Sequence, residues 1–229
     1  MESFWRRLRY YGFGFGLGLI LTFGIFNTRG CSWMPSNRVK DSFEGRIWVM
    51  DAVQAQDFFK KNKFTHRSFY KAVQEADVFF SKSKKHGKHK IYVLQIKNAQ
   101  NRKIDLLAQI VDESLIVDFI PNQSNWKRYK KSKVKPLYGE IIRPANQKSF
   151  FYLPENSPLK THFDSLQIRD VNALNNLMNK STFDYLKSDL NASPKPIHVF
   201  RINSTDKKPE YLAYCILYKD KGKIVSLKQ

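Results

Sequence analysis

Cysteine is scarce in this sequence, and its scarcity excludes two common ways of stabilising a fold. The chain has 229 residues and only two cysteines, Cys31 and Cys215. Cys31 follows an apolar segment, whereas Cys215 lies within residues 211–218, an apolar run that predicts a buried strand. The two cysteines are therefore not expected to meet. This excludes a disulfide framework and a cysteine-based zinc site, so hydrophobic residues must supply the stability.

Acidic residues are also few. The chain has 40 Lys and Arg against 20 Asp and Glu. The first 31 residues hold four Arg and one Glu, which leaves 36 basic and 19 acidic residues, a net charge of +17, for the rest. Such an excess attracts nucleic acid, anionic lipid or an acidic protein, because long-range attraction depends on net charge rather than fold. An AT-rich genome, which favours Lys, Asn, Phe and Ile, would give the same composition without any such partner.

Recognisable catalytic motifs are missing. The sequence has no nucleophile elbow, phosphate-binding loop or paired-carboxylate motif. His86 and His89 have the spacing of metal ligands, but the five lysines of residues 82–90 would repel a divalent cation. His66, next to Arg67, resembles the general base of a metal-free ribonuclease. We therefore expect no metal, no cofactor and no catalytic residue, and a binding protein rather than an enzyme.

An uncharged segment near the N-terminus predicts a transmembrane helix within residues 1–30. Residues 10–28 carry no charge and would span about 28 Å as a helix, close to the thickness of a bilayer core. Three arginines precede the segment, which favours a cytoplasmic N-terminus and a periplasmic remainder. The expected location is the inner membrane, in a single pass. The residues taken to represent the anchor are Tyr10, Gly12, Gly16, Leu19, Leu21 and Phe26.

The same segment has two other interpretations. Cleavage before Cys31 would give a lipoprotein or a secreted product, although Arg29 disfavours both. The glycines add a further possibility, because Gly12 and Gly16 have the small-xxx-small spacing that lets two helices pack closely as a homodimer. Glycine is, however, common in transmembrane helices in general.

The region after the anchor predicts a unit of two helices and three strands, within residues 31–122. Asp51 and Thr65 are suited to cap two successive amphipathic helices. Residues 90–97, 104–111 and 115–120 then have the composition of strands. The predicted order is α-α-β-β-β.

A second copy of this unit is predicted in residues 151–229. Asp51 and its apolar helix return at Asp170, at an offset of 119 residues, and Ile91 with its strand returns at Ile197, at an offset of 106. The second offset is thirteen residues shorter, which predicts a trimmed loop between the helices and the sheet of the second copy. The predicted fold class is α+β, with a transmembrane helix followed by two tandem α-α-β-β-β units.

The two copies do not share a catalytic residue. In this alignment Phe183 falls opposite His66, and Tyr92 falls opposite His198. What the copies have in common is apolar positions and helix caps, which a fold requires and a reaction does not. The repeat therefore argues against the ribonuclease interpretation.

Between the copies, residues 123–150 are predicted to form a basic, exposed linker. The aromatic residues Trp126 and Tyr129 lie among its basic residues, so stacking on nucleic acid bases or contact with an anionic membrane are alternatives to a solvated linker. The predicted basic patch comprises Lys127, Arg128, Lys130, Lys131, Lys133 and Lys135.

The N-terminal half resembles a family of uncharacterised bacterial membrane-anchored proteins. The resemblance rests on the arginine- and glycine-rich residues 6–16 and on residues 31–39, which contain a cysteine and a Pro-x-Asn-x-Val-like segment. Residues 58–62 and 81–93 look like the helix and the Ser-x-Ser-plus-strand segment of that family's small domain of unknown function. The resemblance implies a membrane anchor but no known activity. Remote relatives of the small domain are suspected toxin-like ribonucleases.

These observations predict a single-pass membrane protein whose basic periplasmic region binds or scaffolds a partner. The expected partners are the membrane and an acidic envelope protein, a glycan or anionic lipid, while nucleic acid is not expected. The alternative is an RNA-binding or metal-independent ribonuclease-like module.

Overall fold

The computed structural model describes residues 2–29, 34–131, 137–143, 150–154, 159, 163, 168, 170–202, 210–219 and 221–229. The chain divides into two compact units, Met1–Asp41 and Ser42–Gln229, and each is described by itself.

The first unit consists of helices α1 (Glu2–Arg29) and α2 (Pro35–Asp41). Among the described residues, no helix is both long and apolar enough to cross a membrane. The predicted transmembrane helix, and with it the single-pass inner-membrane location, is therefore wrong. Helix α1 has the length, but its glycines add no apolar side chain and Arg6, Arg7 and Arg9 belong to the same helix.

Of the residues predicted to represent the anchor, Tyr10, Leu19 and Leu21 have exposed side chains on α1. The side chain of Phe26 lies outside the described residues, and so does Cys31.

The second unit contains one mixed sheet of 11 strands within the described residues, in the order β2-β3-β4-β5-β1-β6-β8-β9-β10-β11-β7. The strands are β1 (Ile47–Asp51), β2 (Asp77–Val78), β3 (His89–Lys97), β4 (Lys103–Val111), β5 (Ile116–Pro121), β6 (Tyr138–Arg143), β7 (Phe151–Tyr152), β8 (Thr182–Asp184), β9 (His198–Ile202), β10 (Tyr211–Leu217) and β11 (Gly222–Lys228). The helices are α3 (Ala52–Asn62), α4 (His66–Gln74), α5 (Trp126–Lys131) and α6 (Val171–Asn179), with a 3-10 turn at Phe80–Lys82.

The predicted fold class is wrong, because this strand-rich sheet replaces two separate α-α-β-β-β units. Several local predictions agree with the structure: Asp51 caps α3 and Thr65 caps α4, each through its side chain. Strands β3, β4 and β5 lie where three strands were predicted. Residues 123–150, predicted as a linker, include α5 and the strand β6, which pairs with β1 on one side and β8 on the other.

The two halves of the sheet have the same strand order. In the first half the order is β2-β3-β4-β5-β1, with β1 parallel to β5, and in the second it is β8-β9-β10-β11-β7, with β7 parallel to β11. Matching hydrogen bonds accompany this order. Ser83 Oγ accepts from the Val93 amide at 2.9 Å, and Ser188 Oγ accepts from the Val199 amide at 2.9 Å. Each serine thus links the segment before a β-hairpin to the first strand of that hairpin. The hairpin is β3–β4 in the first half and β9–β10 in the second.

The second half lacks a counterpart of α4 among its described residues. After α6 the chain reaches β8 through only Lys180 and Ser181, whereas α4 lies between α3 and β2. Phe183 pairs with Phe200 as Val78 pairs with Leu94, so the structural counterpart of Phe183 is Val78 and not His66. The difference of thirteen residues between the two offsets therefore corresponds to a missing helix rather than to a trimmed loop.

The sheet is strongly curved. Ser114, at the turn before β5, lies with its Oγ 2.9 Å from Nε2 of His198 on β9. Four strand-to-strand steps separate β5 from β9, which in a flat sheet would be about 19 Å. Curvature brings residues of both halves into one core, whose members include Ile47, Val49, Ile116, Ile141, Phe151, Leu174, Met178, Phe183, Phe200 and Cys215.

Strand β1 is covered on both faces. Ile47 and Val49 face the shared core, whereas the alternate residue Trp48 contacts an aromatic layer on the other face. The Trp48 ring lies 6.2 Å from the ring of Phe69 on α4 and 4.9 Å from that of Phe119 on β5. Helices α3 and α4 thereby cover the first half of the sheet.

The free edge of β7, the last strand of the sheet, is covered by the side chain of Asn175. The Phe151 amide donates to Asn175 Oδ1 at 2.8 Å, and Asn175 Nδ2 donates to the Phe151 carbonyl at 3.0 Å. Asn175, on α6, is 3% exposed. Its carboxamide therefore occupies the hydrogen-bonding groups that a further strand would use.

Candidate functional site

The segment 82–90, between the 3-10 turn and β3, presents lysines to solvent. Lys82, Lys85 and Lys88 are exposed. Lys90 differs, because its Nζ donates to Asp112 at 2.7 Å. The segment is held to the sheet by a backbone bridge in which the Lys84 and Ile91 amides and carbonyls pair at 2.8 and 2.9 Å.

Helix α5 carries the second group of basic residues. Asn125 Oδ1 accepts from the Lys127 amide at 2.9 Å, which satisfies a free donor at the start of the helix. Trp126 and Tyr129 are three residues apart, so they share one face of the helix. That face packs on the sheet, which leaves the side chain of Lys127 exposed.

The two lysine-rich segments are joined by one small apolar cluster. Its buried members are Ile91 and Val93 of β3 and Leu107 of β4. Packed against them are Phe79, Ile120, Trp126 and Tyr129. Lys82 Nζ lies 5.0 Å from the centre of the Phe79 ring, at the end of the cluster reached by the segment 82–90.

Two sequence-distant basic segments therefore border the same apolar cluster, because residues 82–90 are flanked by Phe79 and Ile91 and helix α5 contributes Trp126 and Tyr129. We call the exposed lysines Lys82, Lys85, Lys88 and Lys127 the basic surface. Of the predicted basic patch, Lys127 belongs to this surface. The side chains of Arg128, Lys130 and Lys131 and the whole of Lys133 and Lys135 lie outside the described residues.

The three exposed lysines of residues 82–90 were not among the predicted basic residues, because the segment was interpreted only as a possible metal site. Five of its nine residues are lysines, so the sequence did contain a signal for a basic segment. The sequence does not reveal that α5 borders the same apolar cluster, because this depends on the packing of Trp126 against β3 and β4.

The histidines are placed apart. His66 is exposed at the start of α4, with its ring 5.3 Å from the Phe59 ring, and within the described residues neither a carboxylate nor a second histidine pairs with it. His86 is exposed, and the described residues contain no group of three or more potential metal ligands. His198 is fully buried, and this burial lowers its pKa to about 4, so the ring is neutral. His162 lies outside the described residues.

The carboxyl group of Asp118 interacts electrostatically with the hydroxyl groups of Tyr129 and Tyr185. The Tyr185 hydroxyl donates to Asp118 Oδ1 at 2.7 Å and so links the segment after β8 to β5. Gly139 makes room for this contact, since a Cβ there would lie 2.9 Å from Tyr185 Cε2. Burial, with a contribution from Asp51, raises the pKa of Asp118 to about 7 although the Tyr185 hydrogen bond opposes the shift.

The pKa values of Tyr129 and Tyr185 are raised by the same surroundings. Burial first, and the charge of Asp118 second, raise the pKa of Tyr129 to about 12. The same causes raise the pKa of Tyr185 well above its usual value. Tyr129, which packs on the apolar cluster, therefore also lies within the electrostatic influence of a partly buried carboxyl on the sheet.

No known protein family, curated protein or solved structure matches this chain. The resemblance of residues 6–16 and 31–39 to a family of membrane-anchored proteins stays a prediction.

Proposed function

We propose that Ser42–Gln229 is a binding module for an acidic protein partner, which contacts the basic surface. The observation that carries the proposal is that the segment with Lys82, Lys85 and Lys88 and the helix with Lys127 border one apolar cluster, with Lys82 Nζ 5.0 Å from the centre of the Phe79 ring. Like charges held together by a folded scaffold create a local positive potential that a flexible chain of the same composition would not maintain. A segment rich in Asp and Glu complements that potential.

The chemistry favours a protein over RNA. Sequence-tolerant binding of single-stranded RNA uses aromatic rings on which bases stack. Trp126 and Tyr129, the two aromatic residues among the basic residues of α5, instead pack against Ile91 and Val93. The surface then offers ammonium groups, which bind carboxylates as hydrated point charges.

The test is the affinity for a fluorescently labelled, glutamate-rich peptide. The triple variant Lys82→Gln, Lys85→Gln and Lys88→Gln is expected to bind roughly tenfold more weakly, because each exposed ion pair contributes up to about 1 kcal/mol. The affinity of the unmodified chain is expected to fall as salt is added. Fluorescence anisotropy at low and moderate salt measures both effects.

The matched control removes three exposed lysines from the second half. These are Lys180, Lys187 and Lys195, each replaced by glutamine, so the net charge changes by the same amount. We expect the control to retain nearly all of the affinity. Equal losses in the two triple variants would mean that net charge alone binds the peptide, and tighter binding of a single-stranded RNA than of the peptide would favour the RNA-binding alternative.

A further inference from the structure

A cleft that shares no residue with the basic surface lies between helix α3 and the end of β5 with the two residues that follow it. It has a volume of about 700 Å³. This is within the range of roughly 300–1,000 Å³ that is typical of small-ligand sites. Helix α3 supplies one wall, and Pro121, Asn122 and Gln123 supply the other. We call it the α3–β5 cleft.

The walls of the α3–β5 cleft are rich in side-chain amides. Four carboxamides line it, from Gln54 and Asn62 on α3 and from Asn122 and Gln123 opposite. A carboxamide both donates and accepts hydrogen bonds. Asn62 is already oriented, because its Nδ2 donates to the Phe58 carbonyl at 2.9 Å. That bond uses one of its donors and leaves the amide held in place.

Charged groups in the cleft are mixed in sign. Lys60 and Lys61 provide donors and Asp57 provides acceptors, and all three are exposed. The lining therefore carries one negative and two positive charges, and it also includes the apolar side chains of Phe58 and Pro121.

Carbohydrate hydroxyls match this lining. Each hydroxyl donates one hydrogen bond and accepts others, as the carboxamides do, and a hydroxyl also pairs with a carboxylate or an ammonium group. An open cleft with polar groups on both walls suits a ligand that keeps part of its surface in water. We propose that the α3–β5 cleft binds one or more sugar residues of an uncharged glycan. This site is independent of the basic surface.

The test uses two uncharged trisaccharides, maltotriose and chitotriose, as probes and nuclear magnetic resonance of the ¹⁵N-labelled full chain as the readout. We expect a saturable shift of the amide signals of residues 54–62 and 121–123 with at least one probe. Gln54→Ala and Gln123→Ala are each expected to weaken binding roughly fivefold, the effect of losing a hydrogen bond of about 1 kcal/mol.

Gln56→Ala is the matched control, because Gln56 is exposed on α3 but does not line the cleft. It should bind the trisaccharide as the unmodified chain does. The proposal is overturned if neither probe gives a saturable shift, or if all three alanine variants bind equally well. The triple lysine variant of the basic surface should keep its trisaccharide binding, so the result here does not depend on the acidic-partner proposal.

Discussion

Replacing Asn175 with leucine is expected to lower the free energy of unfolding by about 3 kcal/mol. The side chain satisfies both the amide and the carbonyl of Phe151, at 2.8 and 3.0 Å, in a place where Phe151 is 1% exposed. Leucine has a similar volume but no polar atoms, so both backbone groups would lose their partner. A buried backbone group without a partner costs about 1–3 kcal/mol.

Urea denaturation followed by circular dichroism measures this change. The matched control is Asn176→Leu, at the next residue of α6, where the side chain is exposed. We expect that control to change the free energy of unfolding by less than about 0.5 kcal/mol. Equal effects of the two substitutions would contradict the assignment of Asn175 as the group that closes β7.

The second large effect concerns Asp118 and pH. Because its pKa is raised to about 7, the folded protein holds a proton on this carboxyl that the unfolded chain has lost above about pH 4. Stability from this group is complete below about pH 4, falls as the pH rises towards about 7 and stays constant above that. The full shift corresponds to about 4 kcal/mol, and the partial exposure of the residue reduces our expectation to about 2 kcal/mol.

Asp118→Asn removes the titration while keeping an acceptor for the Tyr185 hydroxyl. The variant should therefore gain about 2 kcal/mol relative to the unmodified chain between about pH 4 and about pH 8. Denaturation curves at a series of pH values give this difference. Asp77→Asn, at an exposed carboxyl of β2, is the control. A difference between Asp118→Asn and the unmodified chain that does not vary with pH would show that Asp118 has an ordinary pKa.

Sequence patterns predicted the parts of the fold that depend on neighbouring residues. Asp51 and Thr65 were identified as helix caps because capping needs only a few residues of context. Strand β3 was found in the same way, from its apolar composition and the polar turn that follows it. Such signals are local, and the structure agrees with them.

The missed strands lacked local signals. Strand β1 is covered on both faces, so its residues do not alternate, and it runs directly into α3. Strand β6 contains Gly139 and follows a basic segment, which suggested a linker. Its place at the centre of the sheet depends on pairing with Trp48 and Asp51 of β1 and with Thr182 of β8. These contacts are distant in sequence and leave no periodic pattern.

Two other predictions were wrong because they rested on the length of a segment and did not consider which structure its residues form. The uncharged residues 10–28 were counted as a membrane span, although the five glycines among them contribute no apolar side chains. The thirteen residues missing from the second copy were interpreted as a loop, although nine of them correspond to α4 (His66–Gln74) and the rest to the residues that connect it to α3 and β2. In both cases the number of residues was correct, but the type of structure assigned to them was wrong.

The candidate site was predicted only in part. Lys127 was recognised within a basic segment, but its aromatic neighbours Trp126 and Tyr129 were not expected to pack on the sheet. That packing partly buries both aromatic rings and places α5 on the same apolar cluster as Phe79, whose ring centre lies 5.0 Å from Lys82 Nζ. A functional surface built from two separate segments follows from the tertiary contacts and not from either segment alone.

The most direct test of the account is to map where a glutamate-rich peptide contacts the ¹⁵N-labelled chain by nuclear magnetic resonance. We predict that the largest amide shifts occur together in residues 82–90 and 126–131, and that β9 and β10 change little. Shifts confined to one of the two basic segments, or spread evenly over the exposed lysines of both halves, would contradict the proposal that Lys82, Lys85, Lys88 and Lys127 form one binding surface.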